Sequence, residues 1–304
     1  MKLITFRNTK NQVRAGWLNN TGVVDMNLVS DGLLPDNMLD FIDDHEHWNR
    51  IILDKQWESS PATDSLSEVK LLAPLPNPRS IRDYIGFEQH MLNASATFGH
   101  KIGKAWYDMP IFYFTNHHAV YGPDDEIRRP PKETRMDIEL ELACIIGKTG
   151  VDIPAAEAEH YIFGYTIFND WTARAIQAKE MEVPLGPHKG KDFANAFGPC
   201  IVTRDEINRH RGPEGRLHLA MTAKINGQLI CEGNYGTVYY TFDQMIERAS
   251  ENGVVLYPGD ILGSGTVGWG SLVENNFSVH RPLEPGDLVE LEIEGIGILR
   301  NKVI

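Results

Sequence analysis

The sequence predicts a mainly β (α+β) protein, a sheet-rich roll or sandwich that carries a small N-terminal α/β domain. Three observations point there. Strand-length apolar runs recur along the chain, few segments read as helices, and 27 glycines and 17 prolines supply frequent turns. Strands do not alternate regularly with helices, so a doubly wound parallel sheet is not expected.

Taken in order, residues 2–25 read as short strands in "LITF", "VRAGWL" and "GVVDM", and residues 37–53 as helical. Residues 57–66 are polar, contain a proline and read as a linker. The expected division is therefore 1–70 as the small N-terminal domain and 71–304 as the larger one. "LLAPLPNP" opens the second part as a turn-rich entry. Strands are expected at "IFYF", "ELELACIIG", "YIFGYTIFN", "PCIVT", "LAMTAKING", "DILGSGTV" and "DLVELEIEGIGILRN". Two helices stand out, "NDWTARAIQAKEME", with Asn169 or Asp170 as N-cap, and "FDQMIERASEN".

The composition excludes several classes. Hydrophobic residues make up 42% and charged residues 23%, ordinary for a soluble globular chain. No apolar run reaches the length of a membrane span, and residues 1–17 carry polar residues throughout and lack a signal-peptide apolar stretch, so a cytoplasmic protein is expected. A formal net charge of −13 argues against a nucleic-acid surface. Cys144, Cys200 and Cys231 are scattered without CxxC spacing and read as buried free thiols. No Gly-rich phosphate loop and no internal repeat is seen.

The most informative run is Met136-Asp137-Ile138-Glu139-Leu140-Glu141-Leu142. In a strand, Asp137, Glu139 and Glu141 share one face. Alone this is an ordinary amphipathic strand. The next strand, however, is apolar for eight residues and delivers Asp170 at its end. A carboxylate there needs a partner, because burying a lone charge is costly. Three carboxylates without a neighbouring cysteine form a hard-oxygen set suited to Mg²⁺ or Mn²⁺, with Ca²⁺ also possible, rather than zinc. Downstream, Arg174 and Gln177 lie three apart on one helical side, and the loop "GPHKGKDFANAFGP" can turn Lys191 inward. A cation, a bidentate donor and an amide beside a metal suit carboxylate or oxyanion oxygens.

With these residues in view, the chain resembles the fumarylacetoacetate hydrolase family. The resemblance is carried by "SIRDYIGFEQH", "DIELELACIIGK", "YIFGYTIFNDWTARAIQ", "GPHKGKDFANAFGP", "GSGTVGWGSLVE" and "GILRNKV", in that order over roughly residues 74–304. It implies a mixed β-sandwich roll, usually homodimeric. It further implies Glu139, Glu141 and Asp170 as metal ligands, with Asp83 as a fourth. His90 matches the catalytic histidine and Glu274 the residue that orients it. Lys191 matches an oxyanion partner. Tyr113, Arg174, Gln177 and Thr266 match substrate-binding positions. Gly99 and Glu182 depart from the animal enzyme, which has a substrate-recognising arginine and tyrosine there. The stretch from His90 to Tyr107 reads as a lid, with Gly99 and Gly103 as hinges.

The resemblance implies a hydrolase acting on a C–C bond of a small 1,3-diketo acid, such as an acylpyruvate or fumarylpyruvate-like acid, through water activated by His90. The alternative is an oxaloacetate-type β-keto acid decarboxylase or tautomerase, which needs the same metal and enolate chemistry but no attack by water. A metal-dependent binding module without catalysis is a third possibility, disfavoured because binding alone needs no oriented base. The expected partner is a small keto acid, with neither nucleic acid nor membrane.

Overall fold

The computed structural model describes residues 1–99, 101–183 and 185–304. Its centre is the strand Ile162–Asp170, all nine residues of which are buried. Such a strand needs neighbours on both edges and cover on both faces. Leu140–Ile146 pairs antiparallel on one edge and Asn195–Thr203 on the other. From Leu140–Ile146 the sheet continues through Asp260–Gly263 and Ser80–Tyr84 to Phe112–Phe114. From Asn195–Thr203 it continues through Lys2–Arg7 and Val13–Asn19 to Gly22–Asp25. The N-terminal strands thus extend this 11-stranded sheet.

Side-chain alternation explains how both faces are covered. Ala143, Ile145, Phe163, Phe168, Phe197 and Ile201 pack on one face with Met38, Phe41, Ile42 and Ile52. Those last four come from helices Met38–Asp43 and His45–Asp54, where the sequence predicts helix. Leu142, Cys144, Ile146, Tyr165 and Ile167 point the other way. They pack with Met221, Ala223, Ile225, Val289, Leu291 and Ile293 of a second, five-stranded sheet. The mixed β-sandwich roll follows, and helix Phe242–Ser250 packs in the same core through Phe242, Met245 and Ile246. All three cysteines are free and buried. Among the described residues, no helix is long and apolar enough to cross a membrane.

Two local expectations are corrected. The run 136–142 is not one strand: Met136–Asp137 pairs with Thr172–Ala173, and the long strand begins only at Leu140. Asn169 and Asp170 do not cap a helix. They end the central strand, and the helix is Arg174–Glu180, with Ala173 at its N-cap position. The free N–H groups of Ala175 and Ile176 are met instead by the Glu133 carboxylate, at 3.2 Å each.

Candidate active site

Strands of the one large sheet bring four carboxylates to one place. Asp83 is the fourth residue of Ser80–Tyr84, Glu141 the second of Leu140–Ile146, and Asp170 the last of Ile162–Asp170. Glu139 enters from the segment just before its strand, its N–H donating to Asn169 Oδ1 at 3.1 Å. One oxygen of each of the four lies within 4.8 Å of the others, and all four residues are buried. Gly263, opposite Asp83 in register, is required behind them, because a Cβ there would collide with Asp83 Oδ1 and the Phe168 ring.

The hydrogen bonds show which oxygens are committed. Glu139 gives Oε1 to Arg174 Nη2 and Oε2 to Lys191 Nζ, both at 2.6 Å. Lys191 also donates to Asp170 Oδ2. The Tyr113 hydroxyl donates to Asp170 Oδ2 at 2.6 Å and lies 3.1 Å from Asp83 Oδ2. Glu141 Oε2 accepts the Gly265 N–H at 2.9 Å. That leaves Asp83 Oδ1, Glu141 Oε1 and Asp170 Oδ1 buried with no partner. Buried polar atoms are almost always satisfied, so three orphan carboxylate oxygens in one cluster fit an all-oxygen divalent ion.

Electrostatics agree. Burial and mutual repulsion push the Asp83, Glu141 and Asp170 carboxyls above their ordinary range, although Lys191 opposes this at Asp83 and Asp170. Burial also opposes ionisation of Glu139, but Lys191 and Arg174 outweigh it and hold that carboxyl low. A divalent cation would supply the missing positive charge to the other three.

A cleft of 770 Å³ opens over this cluster. Asp83, His90, Tyr113, Glu139, Arg174, Gln177, Lys191 and Thr266 line it; the fully buried Glu141 and Asp170 complete the cluster behind. His90, on helix Glu88–Phe98, lies with Nδ1 3.3 Å from Glu274 Oε1. Glu274 is held firmly. It accepts the Trp269 N–H at 2.8 Å, the Asn93 amide at 3.0 Å, and both the N–H and hydroxyl of Ser271 at 3.0 Å. Burial raises the Glu274 carboxyl, but His90 and these donors outweigh it and leave it below its ordinary value. Gln177 accepts from Arg174 Nη1 at 3.1 Å, and Thr266 donates to the Leu140 carbonyl at 3.2 Å.

Every site residue expected from sequence therefore falls in or against one cleft. Gly99 caps helix Glu88–Phe98 in the left-handed region at φ 70°, and a second helix, Lys104–Asp108, follows. His100, inside the stretch read as a lid, lies outside the described residues. Glu182 is exposed and does not line the cleft, whereas Met181 and Leu185 beside it do. Asn93 and Ser271, which hold Glu274, are site residues beyond those the sequence points to. Ser271-Leu272-Val273-Glu274 is nonetheless a capping box, and Asn93 lies one helical turn beyond His90.

Residues 79–304 match the model of the fumarylacetoacetate (FAA) hydrolase C-terminal domain. The chain belongs to the fumarylacetoacetate hydrolase family. Human fumarylacetoacetase is 30% identical over 261 residues, 69% of this chain, and the chain spans 62% of that relative's length. The oxaloacetate tautomerase of Bacillus subtilis is 30% identical over 255 residues, 82% of this chain and 79% of the relative. Among solved family structures, the Exiguobacterium antarcticum fumarylacetoacetate hydrolase superposes with a TM-score of 0.77 at 27% identity, covering 100% of this chain and 99% of its own. A Sphingobium maleylpyruvate hydrolase in complex with manganese(II) and pyruvate gives 0.74 at 25%, with the same coverage.

Proposed function

We propose that the protein is a divalent-metal enzyme of small keto acids that hydrolyses a C–C bond in a 1,3-diketo acid of the acylpyruvate type. The observation that carries this is the set of three orphan carboxylate oxygens beside a cleft that also holds an oriented histidine. Asp83, Glu141 and Asp170 would hold the ion together with Glu139. Mg²⁺ or Mn²⁺ fits such donors, and when bound it would act as a Lewis acid toward the keto-acid oxygens.

The chain's own residues do the rest. The Glu274 carboxylate, 3.3 Å from Nδ1, would attract a proton to that nitrogen and so leave Nε2 to take a proton from water. The water oxygen bonds to the acyl carbonyl carbon, and Lys191 Nζ offers positive charge to the developing oxyanion. The C–C bond then breaks, its electron pair passing to the pyruvyl methylene carbon as an enolate. A proton returned from His90 completes that carbon as a methyl group. Arg174 fixes the Gln177 amide through its Oε1, and Gln177 would offer its amide N–H to the acid end. Tyr113 holds Asp170 beside Asp83, and Thr266 shapes the cleft wall.

A second reading has a specific observation in its favour: the Bacillus subtilis oxaloacetate tautomerase covers more of this chain than human fumarylacetoacetase does. Tautomerising or decarboxylating a β-keto acid needs no attacking water. The two readings separate on His90→Ala, assayed with Mn²⁺ on acetylpyruvate and oxaloacetate. Hydrolysis predicts that the wild type releases pyruvate from acetylpyruvate and that the variant loses at least about 100-fold. An unchanged rate on oxaloacetate, with no acetylpyruvate cleavage by the wild type, selects the second reading.

A further inference from the structure

The far wall of the cleft differs from its floor. Ile111, Phe112, Phe114, Met181 and Leu185 line it. Phe114 is 62% exposed and Leu185 76% exposed, so large apolar surface faces solvent beside a polar site. Covering such surface is favourable, and a matching ligand tail would cover it.

This wall is supported by its surroundings. The Arg82 guanidinium lies 4.8 Å from the centre of the Phe114 ring. Phe112 packs edge-on against Phe114 at 5.6 Å and at a tilt against Tyr84 at 5.1 Å. On the opposite side, the segment that follows Leu185 is pinned from beneath. The Glu180 carboxylate accepts the N–H groups of His188, Lys189 and Gly190 at 3.0, 2.7 and 3.0 Å.

Charge is equally informative. Among the described residues lining the cleft, the permanent cations are Arg174 and Lys191, and both are already committed to carboxylates. Arg82 is buried, with Nη1 on Ser80 Oγ at 2.7 Å and 3.8 Å from Asp260. A second carboxylate, at the variable end of a substrate, would meet Phe112, Phe114, Met181 and Leu185, with the His188 side chain as the polar neighbour on that stretch of the lining. Losing its hydration there without a permanently charged partner is unfavourable.

Building on the keto-acid reading above, we infer that this wall selects an uncharged, apolar acyl tail. The preferred substrate is then a monocarboxylic acylpyruvate, and dicarboxylic analogues are discriminated against. Phe114 and Leu185 are specificity-determining residues, and Leu185 is exposed enough to be replaced without disturbing the core.

The test compares hexanoylpyruvate with adipoylpyruvate, which has the same acyl chain ending in a carboxylate. The full chain loaded with Mn²⁺ is used; kcat/KM is read on the wild type and the Kd from calorimetry on His90→Ala, in which cleavage is slowed. The apolar tail is expected to be favoured by about tenfold or more in each. Leu185→Lys, which places a cation on the wall, is expected to narrow or reverse that preference. Equal or better binding of adipoylpyruvate overturns the inference. Preferential, metal-dependent binding of hexanoylpyruvate without cleavage by the wild type sustains the tail selectivity while removing hydrolysis. Failure of both compounds to bind removes both.

Discussion

Asp137 holds Arg174 Nε at 2.9 Å and, with the same carboxylate, accepts the N–H groups of Leu272 and Val273 at 2.8 and 3.0 Å. One fully buried side chain thus ties the guanidinium on Glu139 to the short 3₁₀ helix Leu272–Asn275 that carries Glu274. Burial opposes the Arg174 charge, but Glu139 and Asp137 outweigh it, so the guanidinium stays protonated. Asp137→Asn keeps the volume and removes the charge. The variant is expected to lose about 3 kcal/mol in urea denaturation, since breaking a buried pair strands the remaining ion. A loss below about 0.5 kcal/mol, the range of a surface substitution, would rule out this linking role.

Glu274 gives a pH signature. Its carboxyl sits below the ordinary value of 4.5, so its folded pKa is lower than its unfolded one. A depressed carboxyl contributes stability that is present above the unfolded pKa and lost as pH falls through the folded value. Glu274→Gln is therefore expected to be less stable than the wild type at pH 7 by about 1–2 kcal/mol. The gap should close as the pH drops below about 4. Denaturation curves at several pH values check this, and a gap independent of pH would speak against it. The same variant should lose about 10²-fold or more in hydrolysis at pH 7, because His90 would be left without its anionic anchor.

The sequence reveals much of this site because strand geometry is local. Parity places Glu139 and Glu141 together, and an apolar strand ending in Asp170 announces a buried carboxylate. The remainder depends on contacts the local pattern does not carry. Asp137 leaves the expected strand because its carboxylate answers backbone groups 135 and 136 residues away. Asp170 looks like a helix cap, yet the cap is supplied by Glu133, 42 residues before Ala175. Gly263 falls inside the expected strand "DILGSGTV", but nothing in that pattern shows that its role is to leave room for Asp83. The apolar wall is assembled from Ile111, Phe112 and Phe114 with Met181 and Leu185, and neither group alone suggests a pocket.

The central claim is that the four-carboxylate cluster binds a divalent ion and that the ion serves C–C cleavage. The most direct measurement is pyruvate release from acetylpyruvate by wild type and Asp170→Asn, with Mn²⁺ and with EDTA, alongside thermal unfolding of the same samples. Mn²⁺ at about 100 times its Kd should stabilise the wild type by about 2.7 kcal/mol and support turnover. EDTA should abolish both effects, and Asp170→Asn should fold yet show neither. Turnover that persists in EDTA, or a wild-type protein that neither gains stability nor releases pyruvate with Mn²⁺, would contradict the account.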